Sequence, residues 1–424
     1  MLLKNAKIIN PIDNFEDFAD IRIQDEIITE IGKNLMPVSN EQVIDLTGKV
    51  ITPGLIDMHC HLREPGFNAK ETIKTGIASA INGGYTAICP MANTNPVTDN
   101  ATTLTYCISK AKEVSQIGFF PICAVTKGLS GEKIVNVSEL ISLGAIAFSD
   151  DGKALENMHL LREALKYINS HNKIIISHSE DSSLVNSGVI NEGIISTKTG
   201  LKGIPAITES LAIARELEIV RAIQGKYHFA HISTKRSVEL IRQAKKDGLN
   251  VTCETAPHYF SLSEDDIKDY DAKYKVNPPL RTKEDLQAII EGLQDGTIDV
   301  IATDHAPHTV REKQLPIQNA PMGIAGFETA LSVTINFLVQ NGKLSLMEAI
   351  RKLTSNPAKI LKLKNRGDIR TGKEANLTVI DPNEQITVDA SKFKSKCRIS
   401  PFDGMTLKGA VKMTIIKGTI HNIG

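Results

Sequence analysis

The sequence predicts an α/β protein: a (β/α)8 TIM-type barrel with a small β-sandwich domain formed from both termini. Three observations carry this expectation. Strand-like apolar runs alternate with helical runs eight times between Ile51 and Val339, and such alternation implies parallel strands that eight repeats can close into a barrel. Both ends of the chain read as β, with no helix-length periodic segment before Ile51 and short β-branched runs again after Gly367. No G-x-G-x-x-G turn follows any strand, which removes the main support for an open doubly wound sheet.

Taken in order, Leu3–Ile9, Phe18–Ile23, Ile27–Ile31 and Gln42–Leu46 are strand candidates, separated by turn residues such as Asn10-Pro11 and Gly32. Val50 to Ile56 reads as one buried strand. The eight units then pair Ile51–Met58 with a helix at Ala69–Asn82, stopped by Gly83-Gly84, and Tyr85–Cys89 with Asn100–Ser115. Gly118–Val125 leads to Val137–Leu143, Ala145–Phe148 to Asn157–Ser170, and Lys173–Ser177, after a long loop, to Ile207–Ile223. Tyr227–Ala230 leads to Thr234–Asp247, Asn250–Thr255 to Lys283–Asp295, and Asp299–Thr303 to Gly326–Val339. Leu346–Thr354 and Pro357–Leu361 are helical, and Leu377–Ile380, Gln385–Val388 and Ala410–Lys417 return to β. The expected domains are the barrel at 53–364 and a composite β-sandwich from 1–52 plus 365–424.

Composition narrows the function classes. The 424 residues carry 49 basic and 49 acidic side chains, and no basic stripe points to nucleic acid or a membrane surface. No apolar run approaches the roughly 20 residues of a membrane span. Met1 to Ile9 is too short and interrupted for a signal peptide and reads as an edge strand. The six cysteines are scattered without a C-x-x-C pair, as suits reduced thiols in a cytoplasmic enzyme.

Chemistry in such a barrel sits at the C-terminal strand ends. The first strand ends in His59 and His61, and residues i and i+2 of a strand share a side, so both can face one metal while Cys60 faces away. The fourth ends in Asp150-Asp151, the fifth in His178, the sixth in His231 and the eighth in Asp304. Four of the 11 histidines thus fall at equivalent strand ends. These donors exceed what one catalytic zinc uses; two metals sharing a bridging group account for them better. Nitrogen and oxygen donors fit Zn2+, with Mn2+, Co2+ or Fe2+ as substitutes. His159, His171 and His421 read as surface residues, and His228 lies at the wrong end of its strand. His258 stays undecided, and alternation turns His305 away.

In this order the residues resemble the amidohydrolase superfamily. Asp57-Met58-His59-Cys60-His61-Leu62-Arg63-Glu64-Pro65-Gly66 is similar to the signature of bacterial type I dihydroorotases. So are Asn93-Thr94-Asn95-Pro96, Phe148-Ser149-Asp150-Asp151-Gly152, Asn277-Pro278-Pro279-Leu280-Arg281 and Ala302-Thr303-Asp304-His305-Ala306-Pro307-His308. The likeness extends to Gly323-Ile324-Ala325-Gly326-Phe327-Glu328-Thr329-Ala330 and Ser400-Pro401-Phe402-Asp403-Gly404. Ala92 and Met322 depart from the family's usual Pro and Phe, and neither change removes a polar contact.

The resemblance implies reversible closure of N-carbamoyl-L-aspartate to L-dihydroorotate plus water, a step of pyrimidine synthesis. It implies two Zn2+ per chain and a shared hydroxide. His59, His61 and Asp304 would hold one metal and His178 and His231 the other, with Asp151 between. Asp150 is the alternative bridge and Lys153 a third. Asp304 would be the general acid/base. Arg63, Asn93, Asn277, His308 and the backbone of Met322 and Gly323 would bind substrate alongside His61. The polar loop Val310–Pro321 would cover the site. A homodimer, and association with aspartate transcarbamoylase, are partner arrangements found among such chains. Rival readings are an allantoinase or hydantoinase, disfavoured by Arg63 and the missing fourth-strand lysine, and a non-catalytic scaffold, disfavoured by six surviving ligand candidates. A purely structural metal site would be closed and usually rich in Cys.

Overall fold

The computed structural model describes residues 1–423. Five strands precede the first barrel helix within the terminal sheet: β1 (Leu2–Asn10), β2 (Phe15–Gln24), β3 (Ile27–Gly32), β4 (Val43–Asp45) and β5 (Val50–Pro53). Barrel strands follow as β6 (Leu55–Cys60), β7 (Tyr85–Pro90), β8 (Gly118–Phe119), β9 (Ile122–Cys123), β10 (Ala147–Phe148) and β11 (Ile175–Ser177). After a small parallel pair, β12 (Ile190–Asn191) and β13 (Gly203–Ile204), come β14 (Tyr227–Phe229), β15 (Val251–Thr255) and β16 (Val300–Ile301). The C-terminal strands are β17 (Leu377–Thr387), β18 (Thr406–Ile416) and β19 (Thr419–Asn422).

The barrel ladders are parallel throughout, β6-β7-β8 and β9-β10-β11-β14-β15-β16. β8 and β9 form one stave, broken at Phe120-Pro121. A parallel bridge between Cys60 and His305, with His61 N–H donating to His305 O at 2.7 Å, closes the ring between the first and last staves. Crossover helices lie outside, several opened by side-chain caps: Thr72, Asn100, Asn157, Thr234 and Thr282 each accept from a backbone N–H of the first turn. Ile56, Met58, Ala87, Cys89, Ile122, Ala147, Ile176 and Val300 form a cluster drawn from the ring of staves, with Leu361 and Leu363 packed in from the C-terminal helical segment. We read this cluster as the barrel lumen. Cys60 belongs to the separate helix-side core with Leu62, Ile73 and Ile77, so it does face away from the strand-end histidines.

The β-rich ends meet in one eight-stranded sheet, ordered β19-β18-β17-β5-β1-β2-β3 with β4 on β1. It curls: Ile27 bridges Glu374, and its inner face buries Leu3, Ile8, Ile21, Ile51, Leu377, Val379 and Ile415.

Two expectations change. The apolar run read as one strand is two: β5 belongs to the terminal sheet and β6 to the barrel, with a break at Gly54. A Cβ at Gly54 would collide with the Thr86 side chain, so the chain crosses between domains at a point where only glycine fits. The loop after β11 is also not structureless. It holds β12, β13 and two short helices, sealed by Val189, Ile190, Leu201 and Ile317. All six cysteines are free and buried.

Candidate active site

The strand-end side chains converge. Asp151 Oδ1 lies 3.5 Å from each of three imidazole nitrogens, His59 Nε2, His178 Nδ1 and His231 Nε2. Its Oδ2 lies 3.4 Å from His61 Nε2. Donor atoms of His59, His61 and Asp151 lie within 4.8 Å of one another, and so do those of Asp151, His178 and His231. Asp304 Oδ1 sits beside the first group, 3.2 Å from His61 Nε2 and 3.6 Å from His59 Nε2. Asp150 is elsewhere: it accepts from the backbone N–H groups of Val125 and Thr126 and from the Thr126 hydroxyl. Lys153 is exposed. Of the three fourth-strand alternatives, only Asp151 joins the cluster.

This donor set fits divalent metal ions. His59 Nε2 and Asp151 Oδ1 are buried without a hydrogen-bond partner, a state that needs an explanation when both are strong ligands. His178 Nδ1 and His231 Nε2 approach to 2.8 Å, where a shared proton or cation must sit between two lone pairs. Burial alone would suppress charging of His59, but Asp151 and Glu254 outweigh it and hold its pKa well above the ordinary value. Burial likewise opposes charging of His178, yet Asp151 and Glu180 raise it to about 10. Asp151 and Asp304 are held low despite burial, by the imidazoles around them. Carboxylates and imidazoles here thus hold each other's charged forms in place.

Three site residues carry backbone strain. Arg63 (φ 63°), His231 (φ 34°) and Asp304 (φ 47°) all occupy the left-handed region, which non-glycine residues enter at a cost and which clusters at functional sites.

The expected substrate contacts surround this centre. Arg63 Nε donates to Pro307 O at 3.1 Å, and its Nη2 lies 3.4 Å from His308 Nε2. Glu64 is engaged with Tyr106 and the Ile73 backbone, so it does not pair with Arg63. Burial, with Arg63 and Lys70 nearby, pushes His308 down to about 2, so it is a neutral donor to Met322 O at 2.7 Å. Asn93 uses its side-chain oxygen on His61 Nδ1 at 2.9 Å, leaving its NH2 group for other partners. Asn277 Nδ2 reaches His178 Nε2 at 3.4 Å. The backbone at 322–323 is partly committed within the protein: besides the Met322 carbonyl, Gly323 N–H donates to Lys275 O at 2.9 Å.

The 310–321 loop is fastened rather than free. It opens with a short helix at Val310–Lys313. Buried Lys313 donates to Lys275 O and Pro321 O at 3.2 Å, and buried Lys275 donates to Ile317 O at 2.7 Å. His305 points away, stacked on Phe327 at 4.1 Å with its Nε2 3.4 Å from Glu71.

Sequence reading missed Glu254 and misplaced His228. Glu254 Oε1 contacts His59 Nδ1 at 2.5 Å, and its Oε2 lies 3.2 Å from buried His228 Nε2. A signal existed: a lone glutamate inside the apolar seventh strand must find a partner if buried.

A closed barrel with buried imidazoles and aspartates at its strand ends defines a metal-dependent hydrolase of the amidohydrolase type. The comparisons agree. The chain matches a Dihydro-orotase-like family over residues 48–237 and the Amidohydrolase family over residues 214–421. It is 47% identical to a protein named dihydroorotase from Acetivibrio thermocellus, covering 99% of this chain and 98% of that one. A dihydroorotase from Geobacter metallireducens is 45% identical, with 99% of each chain covered. Among solved structures, the L-hydantoinase (dihydropyrimidinase) from Arthrobacter aurescens superposes with TM-score 0.89 at 26% identity, covering 99% of this chain and 95% of that one. The chain belongs to the dihydroorotase family of cyclic amidohydrolases.

Proposed function

We propose that the chain interconverts N-carbamoyl-L-aspartate and L-dihydroorotate plus water, in pyrimidine synthesis, at a centre of two Zn2+ ions. The observation that carries this reading is Asp151, one carboxylate within 3.5 Å of imidazoles from three different strands. It suits a shared ligand between His59 and His61 on one side and His178 and His231 on the other. Full-length identity to proteins named dihydroorotase supports the substrate.

Bound metal supplies Lewis acidity toward the ring carbonyl and brings the pKa of water near neutrality. The chain's own groups do the rest. In the hydrolytic direction Asp304 takes the proton of the attacking water and passes it to the leaving ring nitrogen. Its location beside both first-strand histidines keeps it ionised and ready to accept. Arg63, released from Glu64 and braced by Pro307 O, offers its Nη edge to the unreactive carboxylate. Asn93 and Asn277 add amide donors around it, while neutral His308, its one N–H given to Met322 O, packs beside the guanidinium. Asn93 also holds His61 Nδ1, which leaves Nε2 to face the cluster.

The structural likeness to a hydantoinase reflects the shared fold. The missing fourth-strand lysine and the presence of Arg63 favour dihydroorotate over a hydantoin or allantoin. A cytoplasmic location, a homodimer and association with aspartate transcarbamoylase complete the reading and rest on the resemblance alone. The deciding experiment follows loss of dihydroorotate absorbance in the ultraviolet, with zinc determined on the same sample and hydantoin and allantoin as comparison substrates. Turnover of dihydroorotate with near two zinc per chain supports the proposal. Turnover of the other rings alone, or full zinc without turnover, refutes it.

A further inference from the structure

Beneath the strand-end cluster lies a second polar chain that the proposed reaction does not use. Glu254 on β15 and His228 on β14 are both buried. The β14–β15 ladder pairs His228 with Thr252, two residues before Glu254. His228 Nδ1 lies 2.8 Å from Thr252 Oγ1, and His228 Nε2 lies 3.2 Å from Glu254 Oε2. Glu254 Oε1 then meets His59 Nδ1 at 2.5 Å.

With a cation in place of the proton that His59 would otherwise carry at Nε2, one assignment of protons satisfies every contact with neutral imidazoles and an ionised glutamate. The Thr252 hydroxyl donates to His228 Nδ1, His228 Nε2–H donates to Glu254 Oε2, and His59 Nδ1–H donates to Oε1. The His59 Nε2 lone pair then faces Asp151 and Asp304. We infer that Glu254, oriented by His228, is a positioning residue: it fixes the His59 tautomer and places a full negative charge behind that ring. A carboxylate behind an imidazole raises its basicity as a ligand. His61 lacks this support, since its Nδ1 meets the neutral amide oxygen of Asn93 at 2.9 Å. The two first-strand histidines are therefore unequal donors, and the cation held by His59 depends on Glu254. The cation at His178 and His231, whose rings do not touch Glu254, does not. The inference rests on the reading of His59 as a metal ligand.

The test is competitive zinc titration against a chromophoric chelator, using the full chain and its Glu254→Gln, His228→Gln and double variants. Glu254→Gln should weaken one zinc site about 10–100-fold and leave the other within about threefold. His228→Gln should weaken the same site less. The double variant should be no worse than Glu254→Gln, because His228 acts through Glu254. Unchanged zinc affinity, even with a lower melting temperature of the metal-free protein, would mean a merely structural role and overturn the inference. Equal weakening of both sites, or additive effects in the double variant, would overturn it too. A second measurement needs no variant: 15N shifts of labelled histidines in the zinc-loaded parent should show His59 protonated at Nδ1, and protonation at Nε2 refutes the assignment. A parent chain that binds no zinc would instead remove the underlying metal reading, and it would be recognised before any substitution is made.

Discussion

Replacing Asp304 by Asn tests the proposed proton transfer with little disturbance of the fold. The residue sits at φ 47°, a left-handed conformation in which Asp and Asn are among the best tolerated side chains. Asn therefore keeps the backbone and the volume, and it removes only the charge and the proton-accepting oxygen. General acid–base catalysis by a placed side chain contributes about 10²–10⁴-fold, or about 3–5 kcal/mol of barrier. Asp304 Oδ1 stands 3.2 and 3.6 Å from the two first-strand imidazole nitrogens, at the centre of the cluster. The middle of that range is a fall in kcat of about a thousandfold. The assay is initial-rate loss of dihydroorotate absorbance, with zinc content and circular dichroism on the same preparation. A variant that holds zinc and folds normally, yet keeps more than a tenth of the parental kcat, would refute the role of Asp304.

Other substitutions separate neighbouring residues. Asp151→Asn should lower zinc content sharply, since both donor groups share that carboxylate. Asp150→Ala should keep zinc and cost about 1–3 kcal/mol in denaturant unfolding through its lost contacts to the Val125 and Thr126 backbone. Arg63→Lys should raise KM about 10–100-fold with a smaller change in kcat, because an ammonium cannot reproduce the guanidinium fork; an unchanged KM would exclude Arg63 from substrate binding. His258 supplies a pH prediction. Burial pushes its pKa down from 6.5 to about 4, so between those values the unfolded chain binds a proton that the folded chain refuses. Its contribution is intact above about pH 6.5 and is lost as pH falls toward 4, at about 1.4 kcal/mol per pH unit. His258→Gln should flatten that part of the stability profile, measured by urea unfolding from pH 7 to 4.

What the sequence made legible was whatever depends on short spacing. The His59–His61 pair, the strand-end His178 and His231 and the eightfold alternation each follow from a local period, and the barrel forms from them. What it hid depends on register between strands or on tertiary contact. Glu254 reaches His59 only because staves far apart in sequence face one lumen. His228 looked misplaced because a strand's lower half was taken as remote from the site, whereas Glu254 bridges that distance. Asp150 and Asp151 were inseparable in sequence; the Val125–Thr126 turn captures one and leaves the other to the histidines. The 310–321 loop read only as long and polar because nothing local shows that its Lys313 is buried against the carbonyls of Lys275 and Pro321, or that Lys275 reaches in to Ile317 O.

The break at Gly54 has a consequence for how the chain is made. β5 runs between β1 and β17 in the terminal sheet, and one residue later β6 begins the barrel that carries His59 and His61. During synthesis, β1 can pair with β5 early, but the far edge of β5 has no partner until Leu377–Ile380 emerges from the ribosome. Until then the strand leading into His59 and His61 is tethered to an unfinished sheet with an open edge, a surface prone to pairing with other chains. Strands more than 300 residues downstream complete the frame from which His59 and His61 hang.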